Sequence, residues 1–202
     1  MTSIPSPRRA LEGSLERERE DLQGLFADVV VAVLGEEPEG MATGTTPDAD
    51  LDGGAGALLA IHDERDDSYL GVQVRVSAAL ARLLAARMLA SDDPSRDDLL
   101  DAVGELGNIA GGNVKSLLFT SARLSLPSAA LGDTVLPASR EGSAEPTVIR
   151  ALVLGEVVEL ALVPHVNGDG LLWPPSLTSE GFTEVTSEVS SEGTSELQEA
   201  QS

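Results

Sequence analysis

Apolar positions recur every three to four residues in three stretches of the chain and alternate with polar ones in several others, a pattern that predicts helices interspersed with strands. Leu11, Leu15, Leu22, Phe26, Val29 and Val33 keep a mostly helical spacing up to Gly35, so one helix is expected there, mixed in its first turns and apolar in its last. Residues 36–52 are acidic, rich in Gly, Pro and Thr and aperiodic, and read as a long loop. Ala55 to His62 and Tyr69 to Val76 flank the charged run Asp63–Asp67 as a hairpin; in its second strand Leu70, Val72, Val74 and Val76 alternate with Gly71, Gln73 and Arg75, which predicts one buried and one wet face. Ser77 caps a predicted helix running to Ala90, with Leu80, Leu83, Leu84 and Met88 on one side. A strand from Leu124 to Leu126 ends at Pro127, a loop continues to Pro146, and Val148–Leu154 with Val157–Val163 form a second hairpin around Gly155 and Glu156. Past Pro164 the chain turns into loop residues.

Between these lies the most informative stretch, a predicted helix from Asp98 to Phe119. Leu99, Val103, Leu106, Ala110, Val114 and Leu117 form one apolar stripe, while Asp101, Glu105, Asn108, Gly112 and Lys115 recur at the same intervals on the opposite side. One face is expected to hold the helix down and the other to be free for a partner. Its start has two readings, Asp93-Pro94 as cap and first position or Ser95 with Asp98 as a capping box. Gly104, Gly107, Gly111 and Gly112 each cost about 1 kcal/mol against alanine, and the compensating benefit is a helix surface that another backbone can approach closely. Gly112 stands in the polar column, which is therefore read as a docking face.

Composition narrows the functional classes. A net charge of −21, from 34 acids against 13 bases, leaves no basic surface to displace counterions from phosphates, so nucleic acid is not expected as a partner, nor is an anionic membrane. Aromatic residues make up only 2 %, so the core must be filled by small aliphatic side chains. With no cysteine there is no thiol or disulfide chemistry, and with only two histidines, His62 and His165, far apart in sequence, no metal site or cofactor of the chain's own is expected. Residues 1–10 lack the apolar run of a signal peptide and read as a flexible arm; residues 176–202 are Ser, Thr and Glu with few apolar residues and read as a disordered tail. A cytoplasmic location fits these features.

The run Leu100–Ser116, followed by Leu124-Ser-Leu-Pro127, resembles the signature of the CheX/CheC/FliY phosphatases of chemotaxis: an acidic or small polar residue, three residues, Glu, two residues, Asn, and a later Pro. The matching positions are Asp101, Glu105, Asn108 and Pro127. The resemblance covers roughly Leu15 to Val163, within a domain placed at 11–175, and implies a two-layer fold of mixed α/β (α+β) class with amphipathic helices on a largely antiparallel sheet, which is also what the predicted element order suggests. It further implies hydrolysis of the aspartyl phosphate on a CheY-like response-regulator receiver domain. Asn108 would orient the attacking water, Glu105 would contact a lysine of the receiver, and the receiver would supply Mg²⁺.

Read from the residues alone, each of these positions keeps a plainer alternative. A mid-helix Asn and a surface Glu are ordinary solvated residues, Asp101 serves equally to extend an acidic edge, and Lys115, the sole lysine, suits either a partner carboxylate or a local contact. The chain's asparagines are Asn108, Asn113 and Asn167, so no second Glu–Asn motif is available in the first helix. That narrows the resemblance toward the single-site CheX branch and implies a homodimer. The rival functional reading is a receiver-binding or scaffold protein that keeps the fold without turnover.

Overall fold

In the computed structural model, which describes residues 7–46, 51, 54–132 and 145–166, the first helical pattern is split in two. Helix α1 is Pro7–Arg17 and helix α2 Arg19–Leu34, with Glu18 (φ −93°, ψ 15°) between them. The cause is legible in the spacing: from Glu16 to Glu20 there is no apolar side chain to hold a continuous stripe, so the buried series stops at Leu15 and resumes at Leu22, Phe26, Val29 and Val30, all in the same core. Residues 7–10, expected in a flexible arm, open α1 instead, since Leu11 is buried and the turn before it helps to place it. Gly35, at φ 68°, ends α2 in the left-handed conformation that closes many helices.

The expected loop at 36–52 contains a strand, β1 (Gly40–Gly44), paired antiparallel with β6 (Thr147–Val153). Its small residues show no alternation because β1 is an edge strand, held through its backbone and partly exposed on both faces. Strands β2 (Ala55–Asp63) and β3 (Ser68–Val76) form the expected hairpin, its turn closed by Arg65, which donates to both carboxylate oxygens of Asp63 at 3.0 and 2.6 Å. Those hydrogen bonds hold the Asp63 carboxyl below the usual carboxylate range.

Pro127 does not simply terminate a strand. It interrupts an edge made of β4 (Arg123–Leu124) and β5 (Ser128–Leu131), both paired with β2, because proline cannot donate to a ladder. Ser125 bridges the gap: its backbone N–H donates to the carbonyl of Ala60, and its hydroxyl accepts from the Ala60 N–H, each at 2.9 Å. Strand β7 (Glu156–Val166) pairs with β6 through a two-residue turn, Leu154 (φ 55°) and Gly155 (φ 74°), one residue earlier than expected. It also runs beyond Pro164, where loop was expected; pairing with β6 ends at Leu162, so Pro164 sits where the missing donor has no strand to serve on that side. The sheet order is β1-β6-β7-β3-β2-β4, with β5 also on β2, and every pairing is antiparallel.

Helices α3 (Ala78–Leu89) and α4 (Arg96–Leu118) complete the helical layer, so the two-layer α+β expectation holds. Val72, Val74 and Val76 join Ala57, Leu59, Val103, Leu106, Leu160 and Phe26 in one core between sheet and helices. The wet face expected on β3 is corrected: Gln73 and Arg75 are buried too. Beta3 lies between β2 and β7, and Arg75, Glu159 and Arg150 stand in register across β3, β7 and β6. The Glu159 carboxylate, fully buried, accepts from Arg75 at 3.4 Å and from Arg150 at 3.1 Å, which compensates its loss of water. The tail at 176–202 and Trp173 lie outside the described residues, as does the end of the expected domain beyond 166. Among the described residues no helix is long and apolar enough to cross a membrane.

Candidate functional site

Helix α4 is placed by its first turn and by its glycines. Of the two starts read from sequence, the structure uses Ser95: its hydroxyl accepts from the Asp98 N–H at 3.2 Å while the Asp98 carboxylate accepts from the Ser95 N–H at 2.7 Å, a complete capping box. Hydrogen bonding from Ser95 lowers the Asp98 pKa. Val103, Leu106, Ala110 and Val114 are buried as expected, with Leu99 and Leu117 half-buried at the ends of the stripe.

The close approach that glycine permits is mostly inside the molecule. A Cβ on Gly107 would stand 2.8 Å from the Ala57 Cβ, and one on Gly111 2.5 Å from a Leu59 methyl, so both glycines let α4 lie low on β2. A Cβ on Gly104 would meet Pro127 and Ala129 only at ordinary contact distance, 3.8 and 3.9 Å. Only Gly112 of the four has open space, with nothing within 4 Å of an added Cβ. Opposite outcomes are therefore expected for one substitution. Gly107→Ala forces α4 away from β2 and destabilises by about 1–3 kcal/mol, whereas Gly112→Ala gains about 0.5–1 kcal/mol from helix propensity. Urea denaturation of both checks this, and equal effects would refute the packing argument.

Along the outer side of α4 runs an open groove of about 570 Å³, lined by Asp101, Glu105 and Asn108 from α4, Met88 and Leu89 from the end of α3, and Pro127 and Ala129 from the interrupted edge. Asp101 and Glu105 are exposed and Asn108 half-buried. The Asn108 amide nitrogen points to a Glu105 carboxylate oxygen at 3.5 Å, which leaves the amide oxygen as an acceptor. Pro127 forms a wall of the groove and lies over Gly104 and Gly107, where an added Cβ would stand in ordinary contact with it at 3.8 and 4.0 Å. A carboxylate and a carboxamide at the mouth of a groove, supported by a rigid helix, make a positioning device: they can hold a cation and a water but contain no strong nucleophile or base.

The structure thus brings together Asp101, Glu105, Asn108 and Pro127, and leaves Gly112 and Lys115 outside the groove. Lys115 is half-buried in the last turn of α4, where a cation favours the helix dipole, about 10 Å along the axis from Asn108. His62 is engaged elsewhere, stacked on Tyr69 at 4.2 Å with Nε2 3.0 Å from Asp67. Sequence reasoning put Met88 on the buried side of α3 and overlooked Leu89; both are exposed, because the last turn of α3 extends past its buried residues, Leu80, Ala81, Leu84 and Ala85. The signal was available in the apolar pair standing just before the acidic break at Asp92 and Asp93.

A second groove, about 650 Å³, separates α2 from α4 and includes Glu20, Asp21, Asp28 and Asn113. Its asparagine is bound to its own helix, the Asn113 amide donating to the Ile109 carbonyl at 2.8 Å. Among the described residues that groove holds no counterpart of the Glu105–Asn108 pair. Nor, among them, do three or more His, Asp or Glu side chains converge as a metal site.

Residues 60–150 match the family model described as chemotaxis phosphatase CheX. No curated protein matches the chain in sequence. Among solved structures, the chain is similar to the chemotaxis protein CheX of Vibrio vulnificus (15 % identity, 71 % of this chain and 96 % of that one, TM-score 0.59). It is also similar to a chain of the CheX–CheY–BeF₃–Mg²⁺ complex of Borrelia burgdorferi (15 % identity, 72 % and 96 %, TM-score 0.58), and to CheX of Desulfovibrio desulfuricans (18 % identity, 72 % and 99 %, TM-score 0.57). The α4 helix, β4 and the Pro127 edge all fall inside the matched segment, and the described architecture of helices on an open antiparallel sheet is the one these proteins share. In fold, and over residues 60–150 in sequence, the chain is CheX-like.

Proposed function

We propose that this protein accelerates hydrolysis of the aspartyl phosphate on a CheY-like receiver domain. The observation that carries the reading is the Glu105–Asn108 pair at the mouth of the α4 groove, amide nitrogen to carboxylate at 3.5 Å. With its nitrogen turned to Glu105, the Asn108 amide has its oxygen left to accept from a water and align it opposite the acyl oxygen. The water oxygen then bonds to phosphorus as the acyl O–P bond breaks, the receiver's aspartate leaves as carboxylate, and the water's protons stay with phosphate and solvent. Catalysis of this kind needs positioning and charge stabilisation, not a base. The Mg²⁺ that offsets the phosphoryl charge belongs to the receiver in this proposal, and this chain contributes no cofactor. The Borrelia burgdorferi complex, in which a CheX is found with CheY, BeF₃ and Mg²⁺, supports the choice of partner.

Glu105 docks on a receiver cation, Asp101 lengthens that acidic contact, Gly112 admits a close approach where nothing stands within 4 Å, and Lys115 takes a partner carboxylate. A second copy of the chain is part of the same proposal, resting on the single site and on an edge strand, β1, with one strand partner among the described residues. Light scattering that returns the monomer mass across micromolar concentrations would remove the dimer and leave the catalytic reading intact.

The experiment is a panel of receivers from the same genome, each phosphorylated by a small acyl phosphate with Mg²⁺ present. At least one is expected to lose its phosphoryl group faster at substoichiometric amounts of this protein. Binding without acceleration would replace catalysis by the scaffold reading; neither binding nor acceleration would dismiss both.

A further inference from the structure

We propose that Met88, Leu89 and Leu126 form an apolar rim on which the receiver seats, and that this rim selects which receiver is served. The inference rests on the function proposed above and adds the surface that decides the partner. Among the described residues five large hydrophobic side chains are exposed; two of them, Met88 at 39 % and Leu89 at 47 %, line this groove, and a third, Leu126 at 88 %, is the chain neighbour of Pro127, which lines it. Met88 and Leu89 come from the last turn of α3, and Leu126 stands immediately before Pro127 on the interrupted edge. A single exposed leucine needs no explanation, but apolar side chains from two separate elements beside one polar pair do.

The groove between them continues the apolar character inward through the half-buried Leu100 and through Pro127 and Ala129. Glu105 and Asn108 therefore lie between apolar margins. That arrangement answers an energetic difficulty. A carboxylate–ammonium contact open to water contributes about 1 kcal/mol or less, too little to hold a partner in register for an in-line attack. Apolar contacts around it exclude water, strengthen the contact and add affinity of their own. The matching receiver surface carries aliphatic or aromatic side chains beside its phosphorylated aspartate and its cation. Receivers that share the aspartate, Mg²⁺ and cation but present polar groups there are discriminated against, because the rim would be covered without being satisfied.

The test compares the full-length protein with M88S/L89S, L126S and the conservative L126M, against each phosphorylated receiver of the panel and, by titration, against the same receivers activated with beryllofluoride. The serine variants should raise KM on the preferred receiver about tenfold, outstripping any fall in kcat, and weaken binding to the same degree, since each removes a contact of hot-spot kind. L126M should retain wild-type behaviour, and melts should stay within a few degrees because the side chains are exposed. Wild-type KM and binding in both serine variants would overturn the rim while leaving the phosphatase reading in place. So would a loss of the dimer in those variants with KM unchanged, which would assign the rim to a second copy. If the wild-type protein binds receivers without hydrolysing them, the titration alone decides; if it binds none, rim and function fall together.

Discussion

Asn108→Ala is expected to abolish nearly all stimulated dephosphorylation, a loss on the order of a hundredfold or more, while receiver affinity and thermal stability stay close to wild type. The side chain is half-buried at the groove mouth and its amide is bonded to Glu105, so its removal leaves the core stripe of Val103, Leu106 and Ala110 untouched. Glu105→Ala should differ in kind. It deletes the proposed contact with the receiver's cation and so weakens binding together with turnover, and it also frees the Asn108 amide nitrogen to rotate. Parallel losses in the two variants, with affinity unchanged in both, would contradict this division of roles. Leu106→Ala provides the contrast: at 1 % exposed it should cost about 2–5 kcal/mol and fail by unfolding.

A second large effect on stability is expected on the other side of the sheet. Glu159→Ala removes the fully buried carboxylate that Arg75 and Arg150 share, leaving two guanidinium groups without that counter-charge. Breaking such a pair from one side costs about 3–5 kcal/mol, and the melting temperature should fall on the order of 10 °C for a domain of this size. Activity per folded molecule should be retained, because the groove is built on α3, α4 and the β4–β5 edge. Glu159→Gln keeps a hydrogen-bonding group in place and should lose less. A change below about 1 kcal/mol for Glu159→Ala would mean that the row contributes little beyond shape.

The elements that sequence reading found are those with a strong period. Helix α4, the β2–β3 hairpin and the β6–β7 hairpin all stand where alternation or three-to-four spacing placed them, within a residue or two except at the end of β7, which runs three residues past Val163. What it missed had its stability in long-range backbone pairing. Beta1 has no apolar alternation because its hydrogen bonds go to β6, more than a hundred residues away in sequence, and Pro164 reads as a breaker unless the end of β6 is known. Gln73 and Arg75 read as wet for a similar reason: nothing local shows that Glu159 will stand opposite Arg75.

The site was legible to a comparable depth. Asp101, Glu105 and Asn108 do line one groove, while Gly112 and Lys115 of the same column lie outside it; Pro127, expected only to end a strand, stands beside the three, and the glycines of α4 have a different use from the one their spacing suggested. Two of the four, Gly107 and Gly111, seat the helix on the sheet, Gly104 has room for a Cβ beside Pro127, and Gly112 remains open. The apolar margins of the groove were not legible, since Met88 falls on the helical period of α3 and only the helix's length past its buried residues shows that it emerges.

The central claim is that the chain turns over a phosphorylated receiver through Asn108. The direct measurement is phosphate released per mole of chain from the receiver it binds best, with Mg²⁺ present and receiver in large excess, for wild type and Asn108→Ala side by side. Many equivalents released by the wild type, and a return to the receiver's own spontaneous rate in Asn108→Ala, is the predicted result. Wild-type turnover in Asn108→Ala would contradict the claim.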